Sequence, residues 1–245
     1  ALSSIFALRM LGLFMIIPVF SVAGQQYAHA TPMLIGLAVG VYGLTQALLQ
    51  IPFSLIADRY SRKPLIVIGL LMFALGGAVA AMSESIYGVI IGRAIAGGGA
   101  VSAVVMALLA DVTREEQRSK AMAMMGMSIG LSFVVAFSLG PWLTSLVGIS
   151  GLFWVTTIMG LVAIGMLALV PKVIRHHKNF QQGYITQLKQ VLKMGDLNRL
   201  HVSVFSLHLL LTAMFIYMPS QLIEMADLPL ASHGLVYLPL LVLSL

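Results

Sequence analysis

A chain of 245 residues that is 60% hydrophobic, with a mean hydropathy of +1.01, lies well beyond the ~45–50% apolar content of soluble domains and points to lipid as its solvent. With no cysteine, a disulfide framework or a cysteine-based metal site is excluded. The formal net charge of +6 does not indicate nucleic acid, because the basic residues flank apolar spans and read as a topology signal.

Ala1 already stands inside an apolar run that lacks a short basic head and is too long for a secretory signal. Runs long enough to span a bilayer occur at about 3–24, 33–57, 65–82, 86–110, 121–147, 152–170 and 201–222. An eighth opens near Gly234 and stops at Leu245, short of the ~20 residues a spanning helix needs, so the chain is expected to continue. Hydrocarbon offers the backbone no other hydrogen-bond partners, so each run is predicted to be a helix. The fold class expected is all-α, a polytopic transmembrane bundle.

Between the second and third spans lies Asp58-Arg59-Tyr60-Ser61-Arg62-Lys63-Pro64, in which four of seven residues are ionised although charged residues make up 9% of the chain. Arg114, Arg118 and Lys120 follow between the fourth and fifth spans, and Lys172, Arg175, Lys178, Lys189, Lys193 and Arg199 between the sixth and seventh. Twelve of the fourteen Lys and Arg thus share one side, and the opposite loops carry none. That asymmetry predicts a cytoplasmic N-terminus and a cytoplasmic long loop. Within the loop, Tyr184, Ile185, Leu188, Val191 and Leu192 recur at helical spacing. They predict an amphipathic surface helix stopped at Gly195, with a solvated linker as the alternative. The expected organisation is a six-helix bundle over 1–170, a cytoplasmic linker over 171–199, and the start of a second bundle over 200–245. Sliding the seventh span onto the first by 199 residues matches Phe6 with Phe205, Leu8 with Leu207 and Leu11 with Leu210, and sets Arg9 against His208. This fits parallel repeats about an axis along the membrane normal.

Ser54-Leu55-Ile56-Ala57-Asp58-Arg59-Tyr60-Ser61-Arg62-Lys63-Pro64-Leu65 resembles the signature loop of the major facilitator superfamily, G-x-L-x-D-R-x-G-R-K, with both family glycines replaced by Ser54 and Ser61. Arg93 with Gly97 and Gly99 resembles the fourth-helix pattern of its multidrug-type proton antiporters. Gly130 with Gly140-Pro141 resembles their fifth-helix pattern, and Tyr42 to Pro52 their second helix; the set is similar to the YajR-type branch. The resemblance implies a bacterial inner-membrane transporter, working as a monomer, of which this chain is six helices, a seventh and part of an eighth out of an expected twelve. It implies proton-coupled export of small amphipathic compounds by alternating access, with no cofactor. Open alternatives are a facilitator or importer of a sugar or other metabolite without proton exchange, and a membrane enzyme or sensor, for which the polar intramembrane residues offer no catalytic constellation.

Candidate residues follow. Asp58, Arg62 and Asp111 fall at one end of the spans, where two carboxylates around one guanidinium form a charge-assisted cluster. The resemblance implies that this cluster, with Arg59 and Lys63, latches one state of the transporter; the alternative is a solvated topology signal. Arg93 lies about eight residues into its span, roughly 11 Å deep at about 1.5 Å per residue. Its cost of at least ~2.5 kcal/mol predicts that it faces the bundle interior. The resemblance assigns it to proton coupling; hydrogen bonding to carbonyls is the alternative. Arg9 and His208 are further proton-coupling candidates, the alternatives being snorkelling for Arg9 and simple packing for His208. Tyr42, Gln46 and Gln50 form a polar stripe suited to a cavity wall or to bridging helices. Gly130, Gly140 and Pro141 are candidates for a kink that the resemblance ties to antiport, or for ordinary helix irregularity. His176-His177 has no further ligand nearby, so no metal site is expected.

Overall fold

The computed structural model of the protein describes residues 1–99, 101–170 and 193–243, apart from the side chains of Arg59, Leu241 and Val242. The apolar runs become α1 (Leu2–Ala23), α2 (Pro32–Arg59), α3 (Arg62–Ala81), α4 (Ile86–Gly98), α5 (Ser102–Val112), α6 (Glu115–Leu167), α7 (Gly195–Ala226) and α8 (His233–Leu243). Single 3₁₀ turns stand at Gly24–Gln26 and Leu230–Ser232. Among the described residues there is no strand. Six helical stretches are long and apolar enough to cross a membrane, α4 and α5 counting as one.

Two elements differ from the sequence expectation. The fifth and sixth spans are the two limbs of α6, separate helices as expected, but they meet at the single non-helical residue Gly148, with φ 70 and ψ 176. Lacking a Cβ, glycine enters this region at little cost, so one residue reverses the chain where a four-residue loop was expected. Both limbs then pack on α1: Gly12 faces Thr156 of the second limb, and the Met15 carbonyl faces Gly140 of the first. The fourth span, expected to be continuous, is interrupted between Gly98 and Ser102. Gly97-Gly98-Gly99 is a poor helix former, and close packing rewards its bareness. A Cβ on Gly97 would collide with the Tyr42 carbonyl of α2, and one on Gly99 with the Gly69 carbonyl of α3.

The expected amphipathic helix over Tyr184–Leu192 lies outside the described residues. α7 starts at Gly195, inside the stretch expected to be linker, with Asp196 and Arg199 pairing at 3.8 Å across its first turn.

Packing runs outward from α1, which lies against both limbs of α6, while α3 packs on α4 and α6 and α2 packs on α4. The core toward the basic end holds Ile5, Phe6, Leu65, Ile66, Leu108 and Leu167. The core toward the charge-poor end holds Val19, Phe20, Ile86, Phe137 and Phe153, and continues into Phe215 of α7 and Tyr237 of α8. At that end the two short loops clasp each other: Ala28 N–H donates to Glu84 O (3.0 Å) and Ile86 N–H to Ala28 O (3.1 Å). Leu44, Leu48, Leu131, Leu146 and Leu161 are exposed, as a surface solvated by lipid tails requires.

Candidate functional site

Two charged constellations stand out, one at the basic end and one midway along the spans. At the basic end α2 runs to Arg59, Tyr60 N–H closes the last turn on Ile56 O (2.9 Å), and α3 begins at Arg62. The turn between them holds Arg62 almost fully buried, 7% exposed, against two carboxylates of partly open exposure. Arg62 Nη1 is 3.0 Å from Asp111 Oδ2 of α5, and Nη2 is 3.7 Å from Asp58 Oδ1 of α2. Neither Nη1 nor Nε of Arg62 aligns an N–H with an acceptor, so these contacts are ion pairs without hydrogen-bond geometry. Lys63 Nζ donates to Val170 O just beyond the end of α6, which ties the hairpin to the sixth span. Ser61 at the turn has φ −62, so serine replaces the family glycine without backbone strain.

The midway constellation draws on three spans. Arg9 of α1 is 1% exposed. Its Nη1 donates to Ser102 Oγ (2.8 Å), and its Nη2 to Tyr42 Oη (3.0 Å), Gln46 Oε1 (3.1 Å) and Gly99 O (3.3 Å); its buried Nε has no partner. Arg93 of α4, also buried, donates from Nε to Ala38 O (3.0 Å) and from Nη2 to Val39 O (3.4 Å). Its Cζ lies 5.0 Å from the Tyr42 ring centroid. Tyr42 therefore serves both guanidiniums, offering its hydroxyl to Arg9 and its π face to Arg93. Among the described residues neither guanidinium has a carboxylate partner, and all eight Asp and Glu of the chain lie in loops or near helix ends. Two buried cations served only by neutral groups are an unusual and costly arrangement.

The structure does not bring the other candidates into this group. His208 is exposed on α7, its Nδ1 bonded to Val204 O of its own helix (2.9 Å), so it does not share the environment of Arg9. Gln50 is half-buried one turn beyond Gln46, and its carbonyl accepts the Ser54 hydroxyl (2.8 Å). Gly130 has open space around it, whereas Gly140 and Pro141 are buried within helical backbone, and the interruption of α6 falls at Gly148.

Matching places the whole chain. The model of the Major Facilitator Superfamily covers residues 2–245. The chain belongs to the major facilitator superfamily. It is 44% identical over 245 residues to the inner membrane transport protein YajR of Escherichia coli (strain K12), covering 99% of this chain and 54% of that protein. It is 37% identical over 244 residues to an uncharacterised transporter of Buchnera aphidicola, covering 98% of this chain and 62% of that one. A weaker match, 33% over 138 residues (56% of this chain, 34% of that protein), is to the multidrug resistance protein MdtH of Yersinia enterocolitica. The fold is shared with a bacterial homologue of the human lysosomal transporter Spinster, solved inward-facing and unoccupied. That likeness has a TM-score of 0.73 at 15% identity, over 98% of this chain and 58% of that one. The chain thus spans a little over half the length of the curated relatives it matches.

Sequence reasoning did not assemble the Arg9 group, because Arg9, Tyr42, Gln46, Gly99 and Ser102 come from three spans at unrelated spacings. It also missed the aromatic seam that joins the α1–α6 bundle to α7 and α8. Phe137 lies 4.1 Å from Phe215 and 6.3 Å from Tyr237, ring centroid to centroid, and His233, fully buried, stacks edge-on to Tyr237 at 6.0 Å. These four rings come from three helices, and only His233 and Tyr237 are near in sequence, so they leave no local signal.

Proposed function

We propose that this chain is the N-terminal part of a secondary active transporter of the bacterial inner membrane, with its basic end in the cytoplasm, that exports small amphipathic compounds in exchange for protons. It would work as a monomer by alternating access, the first six spans rocking against a second bundle that α7 and α8 begin. The observation that carries the reading is the pairing of a one-ended seam with an ion-pair cluster at the other end. α7 is buried against the bundle at Phe215 and Pro219, toward the charge-poor end, while its residues 199–214 are exposed. At the basic end Asp58 and Asp111 stand partly open around Arg62. In that location Asp58, one third exposed beside Arg62, serves as half of a latch that closes the cytoplasmic side, engaging a helix N-terminus worth ~0.3–2 kcal/mol. A bias of this size shifts two states that differ by a few kcal/mol.

The test is dye efflux from proteoliposomes of the full-length transporter under an imposed pH gradient. Gradient-dependent efflux that Asp58→Asn abolishes without reducing membrane insertion is the expected result; efflux indifferent to the gradient removes the antiport claim. One observation favours a second reading, a facilitator without proton exchange: no described carboxylate lies deep in a span, so the chain offers no acidic proton carrier.

A further inference from the structure

The Arg9 group has the parts of an anion site and no anion among its described neighbours. The guanidinium is buried, its Nε is unpartnered, and a second guanidinium lies across the Tyr42 ring. The interrupted fourth span adds an independent feature. α5 starts at Ser102, whose hydroxyl touches Arg9 Nη1 at 2.8 Å, so the N-terminus of an 11-residue helix opens beside the guanidinium. The first N–H groups of a helix lack intrahelical partners and carry the positive end of its dipole. A discontinuous helix whose half-helix N-terminus points into the pathway is an arrangement by which transporters receive anionic groups. Arg9, Tyr42 and Ser102 all fall well inside their spans, between about one third and two thirds of the way along. Gln46 and Ser102, the two side chains at the edge of the group, are half-buried rather than sealed, so an incoming oxygen can reach the guanidinium by displacing them.

We infer that this midplane group binds the carboxylate of an amphipathic organic anion, with Arg9 as its principal ligand, the α5 N-terminus and Ser102 beside it, and Arg93 raising the local positive potential through Tyr42. The inference rests on the transporter reading above and narrows its substrate class. The planar guanidinium matches a carboxylate two-on-two, and apolar walls such as Phe73, with Arg9 Cζ 6.0 Å from its ring, suit the rest of an amphipathic molecule. A carboxylate from the second bundle of the full-length protein would answer the same chemistry, and the experiment separates the two.

Purified full-length transporter is titrated with naphthylacetate, naphthylacetamide and naphthylethylamine, three probes with one ring system and an anionic, neutral or cationic head, and thermal stabilisation is read at each concentration. The acid is expected to bind about tenfold or more tightly than the amide, the scale of one charged hydrogen bond. Arg9→Gln is expected to erase the preference and Arg9→Lys to keep it in reduced form. Where Arg9→Gln does not yield folded protein, the Arg9→Lys variant decides, and an unchanged affinity for the acid overturns the inference. No stabilisation by the acid, equal stabilisation by all three, or preference for the amine also overturns it, the first being what an internal carboxylate would produce. Gradient-driven dye efflux is measured on the same preparation. Efflux without anion preference removes the anion site and spares the transport reading; anion preference without gradient dependence does the reverse.

Discussion

Arg62 and Arg9 are both buried arginines, yet the chain treats them oppositely. Arg62 sits at the basic end between Asp111 at 3.0 Å and Asp58 at 3.7 Å, carboxylates that remain in reach of water. Arg9 sits in the middle of the bundle, its hydrogen bonds going to a phenol, an amide, a hydroxyl and a carbonyl. An arginine that only had to hold helices together would be cheapest with its charge neutralised, as Arg62 is. The absence of such neutralisation around Arg9, among the described residues, is the contrast on which the proposed anion site rests. On the proposals made above, the end cluster is half of a latch and the midplane group a receptor.

The comparison breaks first if the midplane group is not held rigidly. A Cβ at Gly97 would already meet the Tyr42 carbonyl and the Thr45 hydroxyl, so Gly97→Leu should force α2 away from α4 and separate Tyr42 from both arginines. Overpacking of this kind costs ~1–3 kcal/mol and more when backbone must move. The expected result is a large loss of folded protein and a lower unfolding temperature in the full-length transporter. An unchanged midpoint would mean that α2 is not clamped at this level.

Next in size is Arg62→Met, which leaves two carboxylates facing each other. Removing one member of a fully buried pair costs ~3–5 kcal/mol; with both carboxylates a quarter to a third exposed, about 1–2 kcal/mol is expected. Adding Asp111→Asn should recover part of it, and the loss should shrink in high salt. Tyr42→Phe is smaller still. It removes one of three acceptors on Arg9 Nη2 while leaving the ring for Arg93, so a stability change of about 1 kcal/mol is expected. That change should be less sensitive to salt than the Arg62 one, because Tyr42 and Arg9 are themselves buried. Equal salt dependence of the Arg62 and Tyr42 variants would erase the distinction between latch and receptor.

The two regions also differ in how far they could be read from the chain. Asp58 and Arg62 are four residues apart and Asp111 closes a span on the same side, so apolar run lengths and loop charges alone place them together. The spans themselves were legible for the same reason: hydrocarbon thickness sets a length that residues either meet or do not. The break between residues 147 and 152 was legible too, but not that Gly148 alone makes the turn, since a single positive-φ glycine can replace a loop only if both limbs find the same neighbour, here α1. Arg9 was set against His208 by repeat symmetry, but symmetry speaks of backbone position. Its real partners were fixed by the interruption after Gly99 and by how closely Gly97 lets α2 approach, and both are tertiary facts. The break in the fourth span was hidden because its apolar count is that of an intact helix.

The finest test concerns the turn that begins the latch. The signature loop of the superfamily has glycine where this chain has Ser61, and a glycine there would ordinarily be explained by a need for positive φ. In this protein Ser61 has φ −62 and ψ 133, extended values open to any residue, and it stands as N-cap of α3 without making a side-chain cap bond. Neither strain relief nor a lost cap is therefore at stake in Ser61→Gly. What remains is the greater freedom glycine gives the unfolded chain, a small destabilisation. The variant should insert, transport and respond to pH as the parent does, with an unfolding midpoint marginally lower. A clear rise in stability would overturn this account, because glycine gains over serine only where the turn leaves the extended region for positive φ.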